Sequence, residues 1–289
     1  MKGEKLQASP AINLTNSLSG RIPGLVALTP SGEPGSDNST LRIRGANTLG
    51  DNSPLIVVEG IANRGIDRLN PADIESVTVL KDASAAIYGA RAANGVILVT
   101  TKKGTTGKPQ VRFSYNEGRT ALTSVPEMAD AATYAQLINE VLAYEGATPQ
   151  YTAEEIAKYR DGSDPLRYPD TDWYKESFKS WAKQRTADIS ISGGRENLKY
   201  FLSAGTRFQD AIYKNSATYF RQNNLRLNLD GKLSEYIKYG VNVAVREVNR
   251  NYPTQGASGI FGKLRQSKPN TRAYWPGGEA ADNGDAGNT

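Results

Sequence analysis

Few residues of this chain could carry out covalent chemistry, because its 289 residues include neither histidine nor cysteine. A Ser-His-Asp triad, a thiolate nucleophile, a disulfide and a cysteine-based metal site are therefore excluded. Paired carboxylates remain as an option for hydrolysis. Asp170 and Asp172 are two residues apart, which places both on one face of a strand. A hydrolase that uses this pair is one hypothesis, although the sequence gives no sign of a pocket beside it.

Two short acidic motifs offer the oxygen ligands that Ca²⁺ takes, DGSD at 161–164 and PDTD at 169–172. Neither has the spacing of an EF-hand. The segment GTTGK at 104–108 lacks the full GxxxxGK[ST] phosphate-loop pattern and precedes no evident helix. The sequence therefore predicts no catalytic, metal-binding or cofactor-binding residues, and no cofactor.

The charge pattern gives no indication of nucleic-acid binding. The net charge is +5, and the lysines and arginines are scattered apart from a short cluster at Lys102, Lys103 and Lys108. A nucleic-acid face needs a denser patch with interleaved aromatic residues, so a solvated surface is predicted.

Targeting and membrane signals are weak in this sequence. No apolar run approaches the length of a transmembrane helix, and the first ten residues lack the apolar region of a signal peptide. Neither observation excludes strands that cross a membrane, because such strands are short and their hydropathy signal is weak.

Residues 1–108 predict a small α+β domain. A helix is expected from Pro10 to Gly20, and two short helical turns are expected with Asn70 and Asp82 as caps. Five short segments predict strands: GLVALTP, TLRIRG, PLIVVEG, SVTVLK and GVILVTTKKG. The sheet that they form is too small to house a cofactor cleft.

Three of these segments carry a family resemblance. LRIRG, PLIVVEG and NPADIESVTVLKDASAAIYGARAANGVILVTTKKG resemble successive motifs of the plug domain of SusC/RagA-like TonB-dependent outer-membrane transporters. AINLTNSLSGRIPG extends the resemblance almost to the start of the chain. The departures are mild, since Glu59 stands where the family usually has Asp and ARAANG replaces the commoner SRGANG. The resemblance implies that residues 1–108 are a plug, and a plug requires a surrounding barrel.

Residues 109–289 contain five segments that alternate apolar and polar side chains, as barrel strands do. They are QVRFSYNEGR, TADISISGG, LKYFLSAGTRF, NLRLNLD and YIKYGVNVAVR, with Phe201 interrupting the third. A soluble antiparallel sheet alternates in the same way. Charged and amide residues on the polar face favour the barrel, as do short connections at GGREN and DGKLSE beside one long connection.

The predicted fold is thus an α+β plug with a small mixed sheet, followed by the first antiparallel strands of a large transmembrane β-barrel. About five strands lie in residues 109–289, with a long helical loop at 121–183. Because plugged outer-membrane transporters have 22 strands, we expect a truncated barrel here.

The long loop contains two predicted helices and a group of aromatic residues. The helices are ADAATYAQLINEVLAYEG and TAEEIAKYRDG, the second with Thr152 and Glu155 as a capping box. The segment YPDTDWYKESFKSWAKQ resembles the family's signature before its second barrel strand. Its aromatic residues fit either an interfacial girdle or the core of a loop: Trp173, Tyr174, Phe178 and Trp181.

Four cations of the N-terminal domain are candidates for contacts between plug and barrel. Arg42 and Arg44 could form ion pairs with the barrel wall, because a guanidinium binds a carboxylate through two parallel hydrogen bonds. Lys81 and Arg91 could make similar contacts. The alternative for all four is an ordinary solvated surface position.

The resemblance implies active import of a large nutrient, an oligosaccharide or a peptide, across a Gram-negative outer membrane of the Bacteroidetes type. It also implies a SusD/RagB-like surface lipoprotein over the extracellular mouth. Energy would come from the TonB–ExbB–ExbD complex through a box that precedes the plug and that this sequence lacks. The alternative is a soluble carbohydrate-binding or adhesin β-module without transport.

Overall fold

The structure is a computed structural model that describes residues 1–281 except 10, 44, 46–49, 63 and 68, and omits the side chains of Asp82 and Ala83. The chain forms two compact units. The first comprises Met1–Arg119, Lys183–Ala211 and Tyr219–Asn251, and the second comprises Thr120–Ala182, Ile212–Thr218 and Tyr252–Thr289.

The N-terminal part of the first unit contains two small sheets and two short helices. The helices are α1 (Gly3–Gln7) and α2 (Leu14–Ser17), and the strands are β1 (Leu25–Leu28), β2 (Thr40–Ile43), β3 (Leu55–Val58), β4 (Ile61–Ala62), β5 (Ile74–Leu80) and β6 (Val96–Thr101). Strands β1 and β2 pair with each other, and the other four form a sheet in the order β4-β3-β6-β5. Because β3 and β6 run parallel while β5 and β6 run antiparallel, the sheet is mixed, as predicted.

Apolar residues of these elements form the core of the domain. Strand β6 lies between β3 and β5, and four of its six residues are buried. Alternate residues of β2 point inward, so Leu41 and Ile43 are buried. The largest core cluster also includes Leu14, Ile74 and Val77.

The predicted helix from Pro10 to Gly20 is wrong in extent. Only Leu14–Ser17 is helical, because Asn13 accepts a hydrogen bond from Thr15 N and begins the helix there. Pro10 lies outside the described residues. The predicted turn at Asn70 is confirmed, since its side chain accepts from Ala72 N at the start of the 3-10 turn Pro71–Asp73. The second turn is also present, as the 3-10 segment Asp82–Tyr88, but the prediction of Asp82 as its cap is wrong, since Lys81 holds that position.

The remaining strands of the first unit form one antiparallel sheet. They are β7 (Gly107–Thr120), β8 (Ala182–Arg195), β9 (Leu198–Asp210), β10 (Tyr219–Lys232) and β11 (Lys238–Asn251), in consecutive order. All five predicted strands are therefore present. The first four contain their predicted segments in full, whereas β11 begins two residues after its predicted start and ends five residues beyond its predicted end. Phe201, which interrupts the apolar–polar pattern, lies on the same face as its polar neighbours and is buried there.

The two faces of this sheet differ in composition. One face carries apolar rows that cross the strands, for example Ile191, Leu202, Leu227 and Val243, which are paired in register. The apolar face is largely exposed. The other face is polar; most of its residues in β9 are buried, as are Gln222, Arg226 and Asn228 in β10.

The second unit contains helices α3 (Ala131–Tyr144), α4 (Ala153–Asp161), α5 (Trp173–Ser177) and α6 (Ala257–Gln266). The capping box of Thr152 and Glu155 is confirmed, and the hydrogen bonds from Thr152 lower the pKa of Glu155. In α3, the buried residues are alanines, while the larger apolar residues Leu137 and Val141 are exposed. Among the described residues, no helix combines the length and apolar character needed to span a bilayer.

A glycine at the start of β6 is required by both conformation and space. Gly95 has a φ of +86°, and a Cβ added there would lie 2.7 Å from Ile43 Cδ1 and 3.1 Å from Leu80 O. Gly60 has a similar φ of +79° but open space around it. We expect Gly95→Ala to destabilise the local sheet by more than the roughly 1 to 2 kcal/mol that left-handed backbone alone costs an alanine.

Hydrogen–deuterium exchange of β5 and β6 amides in the full-length protein measures this effect. Gly60→Ala is the matched control, because it carries the backbone cost without the crowding. Similar exchange rates in the two variants would contradict the steric argument.

Candidate functional site: the polar interface between plug and strands

A buried ion pair lies at the centre of the interface between the N-terminal domain and the polar face of the sheet. Arg226 Nε of β10 donates to Asp73 Oδ2 at 3.2 Å, and the two side chains are 9% and 4% exposed. Ser203 Oγ of β9 donates to the other carboxylate oxygen at 2.6 Å. Both oxygens of Asp73 therefore have partners from the strands, which reduces the cost of burying the charge.

The local sequence places Asp73 for this contact. It ends the 3-10 turn that Asn70 caps and directly precedes β5. Its backbone carbonyl accepts from Lys102 N at 2.8 Å, which ties the turn to the end of β6. Lys102 Nζ donates to Ala72 O at 2.6 Å. Burial and the nearby charge of Arg112 lower the pKa of Lys102.

A second arginine, Arg207 in β9, donates hydrogen bonds to three acceptors of the N-terminal domain. Arg207 donates to the carbonyl oxygens of Ile12 and Leu69, each at 3.1 Å, and to Asn70 Oδ1 at 2.8 Å. Asn70 in turn donates to Asp188 Oδ1 of β8 at 2.5 Å. The planar guanidinium suits such a divergent set of acceptors better than an ammonium would.

The close approach at Asn70 depends on a glycine in β9. A Cβ on Gly205 would lie 2.3 Å from Asp188 Oδ1 and 2.6 Å from Asn70 Nδ2. A side chain there would separate the two polar groups, so the absence of one allows the bond to form.

Two amide side chains extend the interface in both directions along the strands. Gln209 Nε2 donates to Asp37 Oδ2 at 3.0 Å, and its Oε1 accepts from Gly35 N. Asn228 Nδ2 donates to Lys102 O at 2.7 Å and to Thr101 Oγ1 at 3.3 Å. The strand residues of this polar interface alternate along β8, β9 and β10, as one face of a sheet requires: Asp188, Ser203, Arg207, Gln209, Arg226 and Asn228.

Two of the four predicted cations of the N-terminal domain, Lys81 and Arg91, lie outside the polar interface. Lys81 Nζ donates to Pro23 O at 2.7 Å, which is a bond within the domain. Arg91 is exposed. Arg42 is half-buried in β2, and its Nε has no hydrogen-bond partner among the described residues. Arg44 lies outside the described residues. The structure therefore does not bring Lys81 or Arg91 into the polar interface.

The aromatic residues of the second unit have different environments. Tyr174 and Phe178 are buried, and Phe178 packs against Phe261 with ring centroids 5.1 Å apart and against Tyr213 at 5.7 Å. These two residues thus occupy the core of a loop, the second of the two interpretations. Trp173 Nε1 donates to Lys268 O at 2.9 Å within the same unit, whereas Trp181 is 38% exposed.

The acidic residues considered for hydrolysis or Ca²⁺ binding accept hydrogen bonds from nearby backbone. Asp170 accepts from Ala131 N at 2.8 Å, and Asp172 accepts from Lys175 N at the start of α5. Asp161 accepts from Ser163 N, and hydrogen bonds from Ser163 lower the pKa of Asp161. Within the described part of the chain, no three metal-binding side chains of His, Cys, Asp or Glu are grouped.

Sequence reasoning did not name the residues that join the N-terminal domain to these five strands, because it looked for the contact-forming arginines in the N-terminal domain alone. The buried carboxylate belongs to the N-terminal domain, and the arginines belong to the strands. A signal was available, since Arg207 and Arg226 stand on the polar faces of two strand predictions. A buried arginine needs a counter-charge, and Asp73 in the motif NPADIES could have been considered as its source.

Comparison with known proteins identifies the N-terminal domain. The family profile of the TonB-dependent receptor plug domain matches residues 1–96. A TonB-dependent receptor of Formosa agariphila is 35% identical over 251 residues, which are 84% of this chain and 24% of that protein. TonB-dependent receptor SusC of Bacteroides thetaiotaomicron is 34% identical over 271 residues, which are 89% of this chain and 25% of SusC.

A solved structure extends the similarity to the strands. A chain of the RagAB peptide transporter superposes with a TM-score of 0.77 at 27% identity, covering 98% of this chain and 34% of its own length. The chain spans about a quarter of the length of the curated relatives that it matches.

A plug domain bound to the polar face of consecutive antiparallel strands defines a TonB-dependent receptor. Within that class the chain belongs to the SusC/RagA-like family, and it comprises the plug domain and the first barrel strands.

The buried ion pair is testable by removing its negative charge. Asp73→Asn keeps the shape of the side chain but leaves Arg226 buried without a counter-charge. We expect the packing of the plug against the strands to be destabilised by about 3 to 5 kcal/mol, the usual cost of removing one partner of a buried ion pair. Amide exchange in β5 of the full-length protein should then accelerate on the order of a hundredfold or more.

Asp230→Asn is the matched control. Asp230 lies 3.7 Å from Lys103, and both side chains are at least one-third exposed, so its loss should cost at most about 1 kcal/mol. Adding Arg226→Met to Asp73→Asn should recover part of the lost protection, because no unpaired charge is left. Equal amide exchange rates in the Asp73→Asn and Asp230→Asn variants would show that the buried ion pair stabilises the plug no more than the exposed pair does.

Proposed function

We propose that this chain is part of an outer-membrane transporter that imports a large nutrient, an oligosaccharide or a peptide. The TonB–ExbB–ExbD complex supplies the energy through a segment that precedes the plug. A SusD/RagB-like surface lipoprotein covers the extracellular mouth. Import requires that substrate binding favours one state of the plug over another.

The observation that carries the proposal is the distribution of side chains between the two faces of the sheet. The exposed face is apolar in rows across β8 to β11, and the face against the plug is polar and buried. This arrangement is the reverse of a soluble sheet, which buries its apolar face. It suits strands with lipid on one side and a plugged lumen on the other.

The same observation argues against the alternative of a soluble carbohydrate-binding or adhesin module. Such a module would leave Leu202, Leu225 and Val243 in water, on an apolar face far larger than single scattered exposed residues. The proposal assigns no catalysis to the chain, since the carboxylates of Asp170 and Asp172 accept hydrogen bonds from the backbone N–H groups of Ala131 and Lys175 at the starts of α3 and α5.

Each of the two nutrient classes is supported by a separate observation. The solved relative is described as a peptide importer in its open and closed states, which supports a peptide. The resemblance of the plug motifs to the SusC/RagA-like family equally supports an oligosaccharide.

Charge placed on the apolar face tests whether that face meets lipid. Val243 and Asn242 are neighbours in β11 with side chains on opposite faces. We expect Val243→Lys to destabilise the inserted barrel by about 2 to 4 kcal/mol near the bilayer midplane, and less near an interface. Asn242→Lys, on the lumen face, should have little effect.

The yield of heat-modifiable, folded barrel in outer-membrane fractions measures the difference. A Val243→Lys variant that folds as well as Asn242→Lys would contradict lipid contact at this position.

Fractionation and genetics test the proposal as a whole. The full-length protein should appear in the outer membrane and require detergent for extraction. Uptake of its nutrient, sought among oligosaccharides and peptides, should be lost when tonB is deleted although the protein remains in the membrane. Recovery of the full-length protein in buffer without detergent would overturn the proposal.

A further inference from the structure

A large cleft lies entirely within the second unit. Its volume is about 690 Å³, and it is bounded by α5, the segment 213–216, α6 and the residues that follow α6. This volume falls in the range of sites that bind small molecules or single units of a polymer. No catalytic or plug residue named above lines it.

Aromatic side chains with fixed positions form part of the wall. The indole N–H of Trp173 donates to Lys268 O, so a ligand in the cleft would contact the carbon atoms of the ring. Tyr213 is held in the aromatic core by its contact with Phe178. Tyr274 pairs in a β-bridge with Ala280 and has Asn215 Nδ2 3.5 Å from its hydroxyl. Rigid aromatic rings offer contact area at little entropic cost, and they suit the C–H face of a sugar ring.

The charges around the cleft are unbalanced. Among residues 1–281 that the structure describes, three lysines line it, Lys214, Lys263 and Lys268, against one carboxylate, Glu176. In the part of the chain that the structure describes, none of the three lysines forms an ion pair. A cleft with excess positive charge raises the local concentration of anions and favours an anionic ligand.

We propose that this cleft binds an acidic oligosaccharide, whose sugar rings pack on the aromatic side chains and whose carboxylate or sulfate groups meet the lysines. This inference rests on the proposed function, because it names the substrate class that the transporter would receive. An acidic peptide would satisfy the lysines but would not pack the C–H face of a ring on the aromatic walls, as a sugar does.

Calorimetric titration of the full-length protein in detergent tests the proposal at low salt, where screening is weak. The probes are hexagalacturonate, maltohexaose of equal length, and hexaglutamate as the acidic peptide. Hexagalacturonate should bind at least about tenfold more tightly than the other two. Lys214→Ala with Lys263→Ala should weaken its binding by about tenfold and reduce its salt dependence.

Lys158→Ala is the matched control, since Lys158 is a lysine of α4 that pairs with Glu154 and does not line the cleft. This variant should bind hexagalacturonate as the parent protein does. Equal binding of maltohexaose, or tighter binding of hexaglutamate, would overturn the proposal. Failure of all three probes to bind a protein that still supports TonB-dependent uptake would refute the cleft assignment alone, whereas loss of outer-membrane location would refute the proposed function.

Discussion

The contact on which the first unit depends is an ion pair withdrawn from water between Asp73 and Arg226. Burying two charges is costly, and the cost is offset here by Ser203 and by the surrounding polar bonds. Such an interface differs from an apolar core, because each side can be hydrated when the two separate. A plug held mainly by polar contacts can therefore be specific in position and still separate from the strands while exposing little apolar surface.

The strands could be predicted from the sequence because their signal is local. Alternation in segments such as NLRLNLD depends only on neighbouring residues, and all five predicted barrel strands are present. The helix at Pro10–Gly20 was wrong because apolar spacing does not reveal where a cap interrupts, and Asn13 begins the helix late. In α3 the spacing predicted a helix correctly, but alanines rather than Leu137 and Val141 form its buried face.

The plug interface could be predicted only in part, because it joins residues far apart in sequence. Arg226 and Asp73 are separated by 153 positions, and no sequence pattern around either residue predicts that the other is its partner. The polar faces of the strands were recognised, but a polar face can meet water or protein, and periodicity does not distinguish them. The turn that presents Asp73 was predicted through its cap Asn70, yet the further bonds from Asn70 to Asp188 and from Arg207 to Asn70 required the folded chain.

Because side chains in β9 and β10 alternate between the two faces, the contacts with the plug also depend on the register in which these strands pair. If β10 slipped by one residue, Arg226 would move to the lipid side and Leu225 or Leu227 would face the plug. Asp73 would lose its counter-charge at the same moment that an arginine entered the apolar surface. An incorrectly aligned wall is thus penalised twice, so the plug helps to select the one strand alignment that it can occupy.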